Sequence, residues 1–148
     1  MSAITISKKK IADILEDKEL LSEIYKLTLQ PSDGGHGSMM RKHLYRWKDQ
    51  KNPPKKTVAF LISDDDRLIG WSLLTGYGWF QVYVEQTYRQ QGVGTSLVKF
   101  AKDYCKQHNR NFYVTPWDER SRMFFENLGF ELAGKNCRDL LKYKEKQL

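Results

Sequence analysis

Cysteine is scarce in this 148-residue chain. There are two, Cys105 and Cys137, and neither falls in a CxxC pair or in a Cys/His cluster with zinc spacing. That leaves no metal motif, and both read as reduced thiols of a cytoplasmic protein. No apolar run approaches the roughly 20 residues that span a bilayer, so no membrane segment is expected. In MSAITISKKKIADIL the lysines follow a short mixed segment, whereas a secretory signal places its basic part first. Internal repeats and low-complexity tracts are also missing. Disorder of the whole chain is excluded by 40% hydrophobic and 13% aromatic content. The length fits one domain, 1–148, which can bury about two-thirds of its unfolded surface.

Acid is in deficit. Eighteen Asp and Glu face 25 Lys and Arg, a net charge of +7. The lysines are scattered over Lys8 to Lys10, Lys55, Lys56, Lys142, Lys144 and Lys146. Solvated termini and loops account for that pattern better than a dedicated nucleic-acid surface does. Nucleic acid therefore stays on the list of partners but is not favoured.

Periodicity orders what remains. Ala3 to Ser7 suits a short strand. Ile11, Ile14, Leu15, Leu21, Ile24 and Tyr25 fall at helical spacing, so Lys9 to Leu29 reads as helix with a break near Asp17. Pro31 and the run SDGGHG stop it. Ser38 is placed to cap a second helix through Lys48, with Met39, Met40, His43, Leu44 and Trp47 along one side. Thr57 to Ser63 and Leu68 to Gly76 form a hairpin about DDDR, and Trp79 to Glu85 is a third strand. Val93, Leu97, Phe100, Ala101, Tyr104 and His108 make the apolar stripe of a helix. Asn111 to Trp117 is a strand, stopped near Pro116. Asp118 caps a short helix that Gly129 ends. FELAG and DLLKYKE supply up to two more strands. The strand–helix–strand unit around Arg89 should be a right-handed parallel crossover. A catalytic role for the helical Cys105 is disfavoured, since such cysteines mostly pack.

The most informative stretch is RQQGVG, Arg89 to Gly94, between strand FQVYVE and helix TSLVKFAKDYCKQH. Glycines at alternate positions let bare backbone bend sharply. The first turn of the following helix has N–H groups without intrahelical partners and a partial positive charge. Such a loop is suited to a phosphate or pyrophosphate.

VYVEQTYRQQGVGTSLV resembles the acetyl-CoA-binding motif of the GNAT superfamily of N-acetyltransferases. Its signature is Arg or Gln, two residues, Gly, one residue, then Gly or Ala, matched here by Arg89, Gly92 and Gly94. Val84 and Tyr88 match the hydrophobic and aromatic positions before it. DERSRMFFENLGF, Asp118 to Phe130, is similar to the family's helix ending in a YEKLGF-type stretch. The resemblance covers Thr57 to Phe130. It implies an α/β fold with a mixed, mostly antiparallel central sheet of six or seven strands and about four flanking helices. It also implies acetyl-CoA as cosubstrate and a primary amine as acceptor: a protein lysine, an N-terminus or a small amine. The expected assembly is a monomer or homodimer.

By this resemblance, Gln90, Gln91, Gly92, Val93, Gly94 and Thr95 present main-chain N–H groups to the pyrophosphate, behind Arg89. Val82, Tyr83 and Val84 offer main-chain groups to the pantetheine arm beside a splayed strand pair. An N–H near Val84 polarises the thioester carbonyl. Asp118 stands where asparagine is common, and helix capping alone also explains it. Phe125 stands where the family commonly has a tyrosine that protonates the departing thiolate, and phenylalanine has no hydroxyl. Turnover without that donor, substitution by Tyr83, Tyr88 or Tyr113, and a noncatalytic acyl-CoA-binding module remain open. Glu85, at the end of the third strand, and His36, in the glycine-rich loop, are the candidate bases for the acceptor amine. Trp79 and Trp117 flank the strand ends near the expected ligand.

Overall fold

The computed structural model describes residues 3–29, 36–50, 53–116, 118–132 and 141–143. Strand β1 (Ile4–Lys10) runs straight into α1 (Ile11–Glu16). The break near Asp17 is real. Its N–H closes α1 on the Ile14 carbonyl at 3.1 Å, while its carboxylate caps α2 (Lys18–Leu27) by accepting from the Leu20 N–H at 3.0 Å. Helix α3 (His36–Lys48) begins two residues before Ser38, so Ser38 lies within it and is not its cap.

Strands β2 (Val58–Asp64), β3 (Arg67–Leu74) and β4 (Phe80–Val84) follow as an antiparallel meander, and β1 pairs with β2 at the far edge. The expected hairpin is therefore present. After β4 come a 3₁₀ turn (Gln86–Tyr88) and α4 (Val93–Gln107). Strand β5 (Tyr113–Val114), α5 (Glu119–Asn127), β6 (Phe130–Leu132) and β7 (Leu141–Tyr143) complete the order. Among the described residues no helix is long and apolar enough to cross a membrane.

The strands do not make one sheet of six or seven. They make a four-stranded sheet, β1-β2-β3-β4, and a three-stranded sheet, β5-β7-β6. Among the described residues five α-helices flank them, one more than expected, because Asp17 divides the first in two. One parallel bridge, Trp79 with Tyr113, joins the sheets, and the Tyr113 N–H donates to the Gly78 carbonyl at 2.7 Å. The parallel crossover thus meets at one point only. Strand β5 is also shorter than its apolar run suggested. Pro116 has no N–H to extend a ladder and constrains the residue before it.

The core lies on both faces of the larger sheet. Helix α4 covers one face with Val93, Leu97, Val98, Ala101 and Cys105, over Phe60, Ile62, Ile69 and Leu74. This core continues through Phe112, Val114, Phe125 and Phe130, so apolar packing spans the break between the sheets. The buried row of α4 is rotated from the expected stripe. Phe100 and Tyr104 flank the row, edge-on to Phe60 at 5.3 and 5.4 Å, and His108 is exposed. On the other face Ile11, Ile14, Leu21, Ile24, Met40 and Leu44 pack on Leu61, Trp71, Leu73 and Tyr83. His43 stacks on Trp47 at 5.4 Å, and burial, then the Arg46 charge, lowers its pKa. Along the open edge of the sheet, Lys8, Lys9 and Lys10 are exposed.

Three outcomes test this packing. Gly78 has φ +95°, and a Cβ there would come within 1.7 Å of the Asn111 carbonyl oxygen. Gly78→Ala should cost about 3 kcal/mol or more in urea unfolding. Gly92→Ala, with φ +82° and nothing within 4 Å, should cost only about 1–2 kcal/mol. Burial pushes the Cys105 thiol up to about 11 despite the nearby Arg110 charge. Peptide mapping should accordingly find Cys105 unmodified by iodoacetamide in native protein at pH 8 and modified once urea unfolds it.

Candidate active site

Beyond the Trp79–Tyr113 bridge, β4 and β5 part, and β4 becomes the edge of the larger sheet. Which main-chain groups face the gap follows from the ladder. The Glu85 N–H donates to Ile69 and the Thr75 N–H to Trp79, so odd-numbered residues of β4 bond to β3. Val82 and Val84 therefore turn their N–H and carbonyl groups toward β5. Tyr83 turns its own toward β3. Its buried ring lies beneath the Arg89 guanidinium, 5.3 Å from centroid to Cζ. Of the three strand residues expected to meet an extended ligand through the main chain, Val82 and Val84 are aimed at the gap and Tyr83 is not.

The loop after β4 curls as its composition suggests. Gln90 has φ +64° and Gly92 φ +82°, both left-handed, with Gln91 between them outside that region. Arg89, Gln90, Gln91 and Gly92 are exposed. Gly92 is the N-cap of α4, and its carbonyl accepts from the Ser96 N–H and hydroxyl at 2.9 and 3.0 Å. The N–H groups of Val93, Gly94 and Thr95 open the helix, where no turn precedes them to supply acceptors. Val93 anchors the turn in the core with its side chain. Arg89 Nε donates to the Val84 carbonyl at 2.9 Å, which ties the loop back to the strand. The geometry suits a pyrophosphate beside the loop and an extended chain along β4.

A Cβ on Gly94 would lie 3.3 Å from the Phe124 ring and 3.6 Å from Val84. Of the two phenylalanines of α5, Phe124 is thus the one set against Gly94. Phe125 is buried in the core, with ring centroids 5.3 Å from Phe130 and 5.0 Å from Phe124. Asp118 caps α5, accepting from the Ser121 N–H at 2.8 Å, while the Ser121 hydroxyl oxygen accepts from the Asp118 N–H at 3.0 Å.

Glu85 is buried at the end of β4. Its Oε1 accepts from Arg67 Nη2 at 2.5 Å, and its Oε2 is buried with no hydrogen-bond partner. The same guanidinium lies over the Tyr88 ring at 5.9 Å. The Tyr88 hydroxyl donates to Asp64 Oδ2 at 2.8 Å, and that bond, then burial, raises the phenol pKa. Tyr88 is thereby committed to Asp64. Tyr113 is half-buried, with the Lys142 ammonium 5.6 Å from its ring centroid. His36 opens α3, but its side chain lies outside the described residues, as does Trp117. Gly37 beside it is close enough to β4 that a Cβ would lie 3.0 Å from the Tyr83 ring. Trp79 is 48% exposed at the bridge. No group of three His, Cys, Asp or Glu among the described residues has metal-site spacing.

The sequence reading missed Asp64, Arg67 and Phe124. Asp64 and Arg67 flank a turn that reads as solvated, and their partners lie 24 and 18 residues away. Phe124 adjoins the motif aromatic but projects from a different side of the helix.

Residues 21–130 match the model of the acetyltransferase (GNAT) family, most of the chain, so the chain belongs to that family. Its fold is that of several solved acetyltransferases at low identity. A mutant of the toxin AtaT bound to the C-terminus of the antitoxin AtaR superposes with TM-score 0.69 at 16% identity, over 95% of this chain and 92% of that one. An aminoglycoside 6'-N-acetyltransferase complexed with coenzyme A gives 0.63 at 16%, over 93% of each chain. The PaiA N-acetyltransferase of Thermoplasma acidophilum in complex with coenzyme A gives 0.60 at 17%, over 97% and 99%.

The capping assignment of Asp118 is testable by itself. Asp118→Ala should cost about 1 kcal/mol in urea unfolding, the usual loss of an N-cap. A contact to pantetheine would show separately, as weaker coenzyme A binding by calorimetry.

Proposed function

We propose that this GNAT-family chain moves an acetyl group from acetyl-CoA to a primary amine by direct attack in a ternary complex. The observation that carries the reading is the alignment of two features at one strand end. Val82 and Val84 turn main-chain groups into the gap between β4 and β5. The Arg89–Gly92 loop and the first turn of α4 follow within a few residues.

Acetyl-CoA would lie with its pyrophosphate against the main chain from Gln90 to Thr95 and its pantetheine arm along Val82 and Val84. The Val82 N–H, farther from the pyrophosphate loop, is then the donor nearest the thioester carbonyl, aimed at an oxygen on which charge develops. The amine arrives mostly as ammonium and must lose a proton before its lone pair can attack. Glu85, one residue past Val84, and His36, at the start of α3, are the candidate bases we assign to that proton. Nitrogen then bonds to the acetyl carbon, the carbon–sulfur bond breaks, and coenzyme A leaves as thiolate. Phe125 has no hydroxyl to meet that thiolate and Tyr88 is held by Asp64, which leaves Tyr83, Tyr113 and water as its proton sources. Most of the acceleration would come from positioning and carbonyl polarisation.

The missing hydroxyl at Phe125 keeps a second reading in view, a module that binds acyl-CoA without turnover. Thiol release from acetyl-CoA separates the two. The acceptor panel is n-butylamine, a lysine-containing peptide and a peptide with a free N-terminal amine. Acceptor-dependent release supports the transferase, and tight binding without it supports the module. Gly92→Glu should abolish coenzyme A binding by calorimetry with the fold intact, because its carboxylate would meet the phosphates. Unchanged affinity would remove the site.

A further inference from the structure

The segment that enters the glycine loop is tied to a turn far from it in sequence. The 3₁₀ turn Gln86–Tyr88 carries the chain from β4 to Arg89. Before it, the Glu85 N–H donates to the Ile69 carbonyl at 2.8 Å, and Glu85 Oε1 accepts from Arg67 Nη2 at 2.5 Å. At its end the Tyr88 hydroxyl donates to Asp64 Oδ2 at 2.8 Å, across 24 residues of sequence. The Arg67 guanidinium lies over the Tyr88 ring, so the two ties are neighbours. Asp64 and Arg67 are themselves register partners that close the β2–β3 turn. That turn is a fixed point. The Asp65 N–H donates to the Ala3 carbonyl at 2.8 Å, and its Oδ1 accepts from the Ala3 N–H at 3.0 Å. The exit of the loop is anchored differently, by Val93 in the core. The left-handed residues Gln90 and Gly92 thus lie between a polar anchor and an apolar one.

We infer that Tyr88 is a positioning residue for the phosphates of coenzyme A: its bond to Asp64 makes the β2–β3 turn a brace that holds the loop in its curl. The residues from Arg89 to Gly92 are exposed and have little packing of their own to order them. Ordering them only when the ligand arrives would cost affinity, and a loop already held loses less on binding. This rests on the reading of the loop as the pyrophosphate site. The Tyr88 hydroxyl is committed to Asp64, so Tyr88 acts through the main chain of the loop.

Calorimetry with coenzyme A tests it. Tyr88→Phe, which keeps the ring and removes the bond, should raise Kd about fivefold. Asp64→Ala should do the same. The double variant should bind less than about twofold more weakly than either single one, since one bond is lost in all three. Asp64→Asn keeps an acceptor oxygen and should stay within about twofold of the native Kd. In ligand-free Tyr88→Phe, amide hydrogen exchange should quicken over residues 86–95 and stay unchanged in β2 and β3, where a general loss of stability would also show. A native Kd in Tyr88→Phe, multiplying losses in the double variant, Asp64→Asn as weak as Asp64→Ala, or faster exchange throughout β2 and β3 would overturn the inference. Should Asp64→Ala not fold, Tyr88→Phe and Asp64→Asn decide by themselves. Gly92→Glu keeps the two readings apart. If it binds coenzyme A as tightly as the native protein, the loop site falls and the brace with it. If it abolishes binding while Tyr88→Phe keeps the native Kd, the site stands and the positioning role alone falls.

Discussion

Everything at the candidate site depends on one hydrogen-bonded bridge. Where the Tyr113 N–H meets the Gly78 carbonyl, two parallel strands touch, and immediately beyond they part. A strand edge without a neighbouring strand is usually a liability, because its amide and carbonyl groups invite pairing. Here the edge is interior. Core side chains on α4, β5 and α5 pack around it. The left-handed residues after β4 then place a helix start at the end of that opening.

The loop was legible because its requirements are local. A left-handed N-cap at Gly92, the turn before it and the helix after it all follow from residues within one short stretch. The break at Asp17 and the cap at Asp118 were legible for the same reason, since each side chain bonds to a main-chain group three residues on. The division into two sheets was not. Apolar alternation from Asn111 to Trp117 reports burial, and burial there is supplied by Phe125 of α5 and by the strands of the smaller sheet as much as by the larger one. Periodicity cannot separate those sources.

Side-chain pairing across the fold was equally hidden. Asp64 and Arg67 belong to an acidic turn of the kind that normally faces water, and only the register of β2, β3 and β4 brings them to Tyr88 and Glu85. The rotation of α4 is a similar case. Phe100 and Tyr104 have the spacing of core residues, yet the row Val93, Leu97, Ala101, Cys105 fits closer to the sheet because its members are smaller. The larger rings settle against the edge of Phe60 instead.

The opposite edge of the same sheet is handled in another way. Strand β1 ends on Lys8, Lys9 and Lys10, all exposed, along the side where no strand follows among the described residues. Two copies pairing antiparallel about Lys9 through that edge would set lysine against lysine, Lys8 opposite Lys10 and Lys9 opposite Lys9. Such self-association is opposed by charge at ordinary ionic strength and relieved as salt screens it. Among the described residues the two edges of the larger sheet thus differ in character, one recessed beside β5, the other electrically guarded against its own kind.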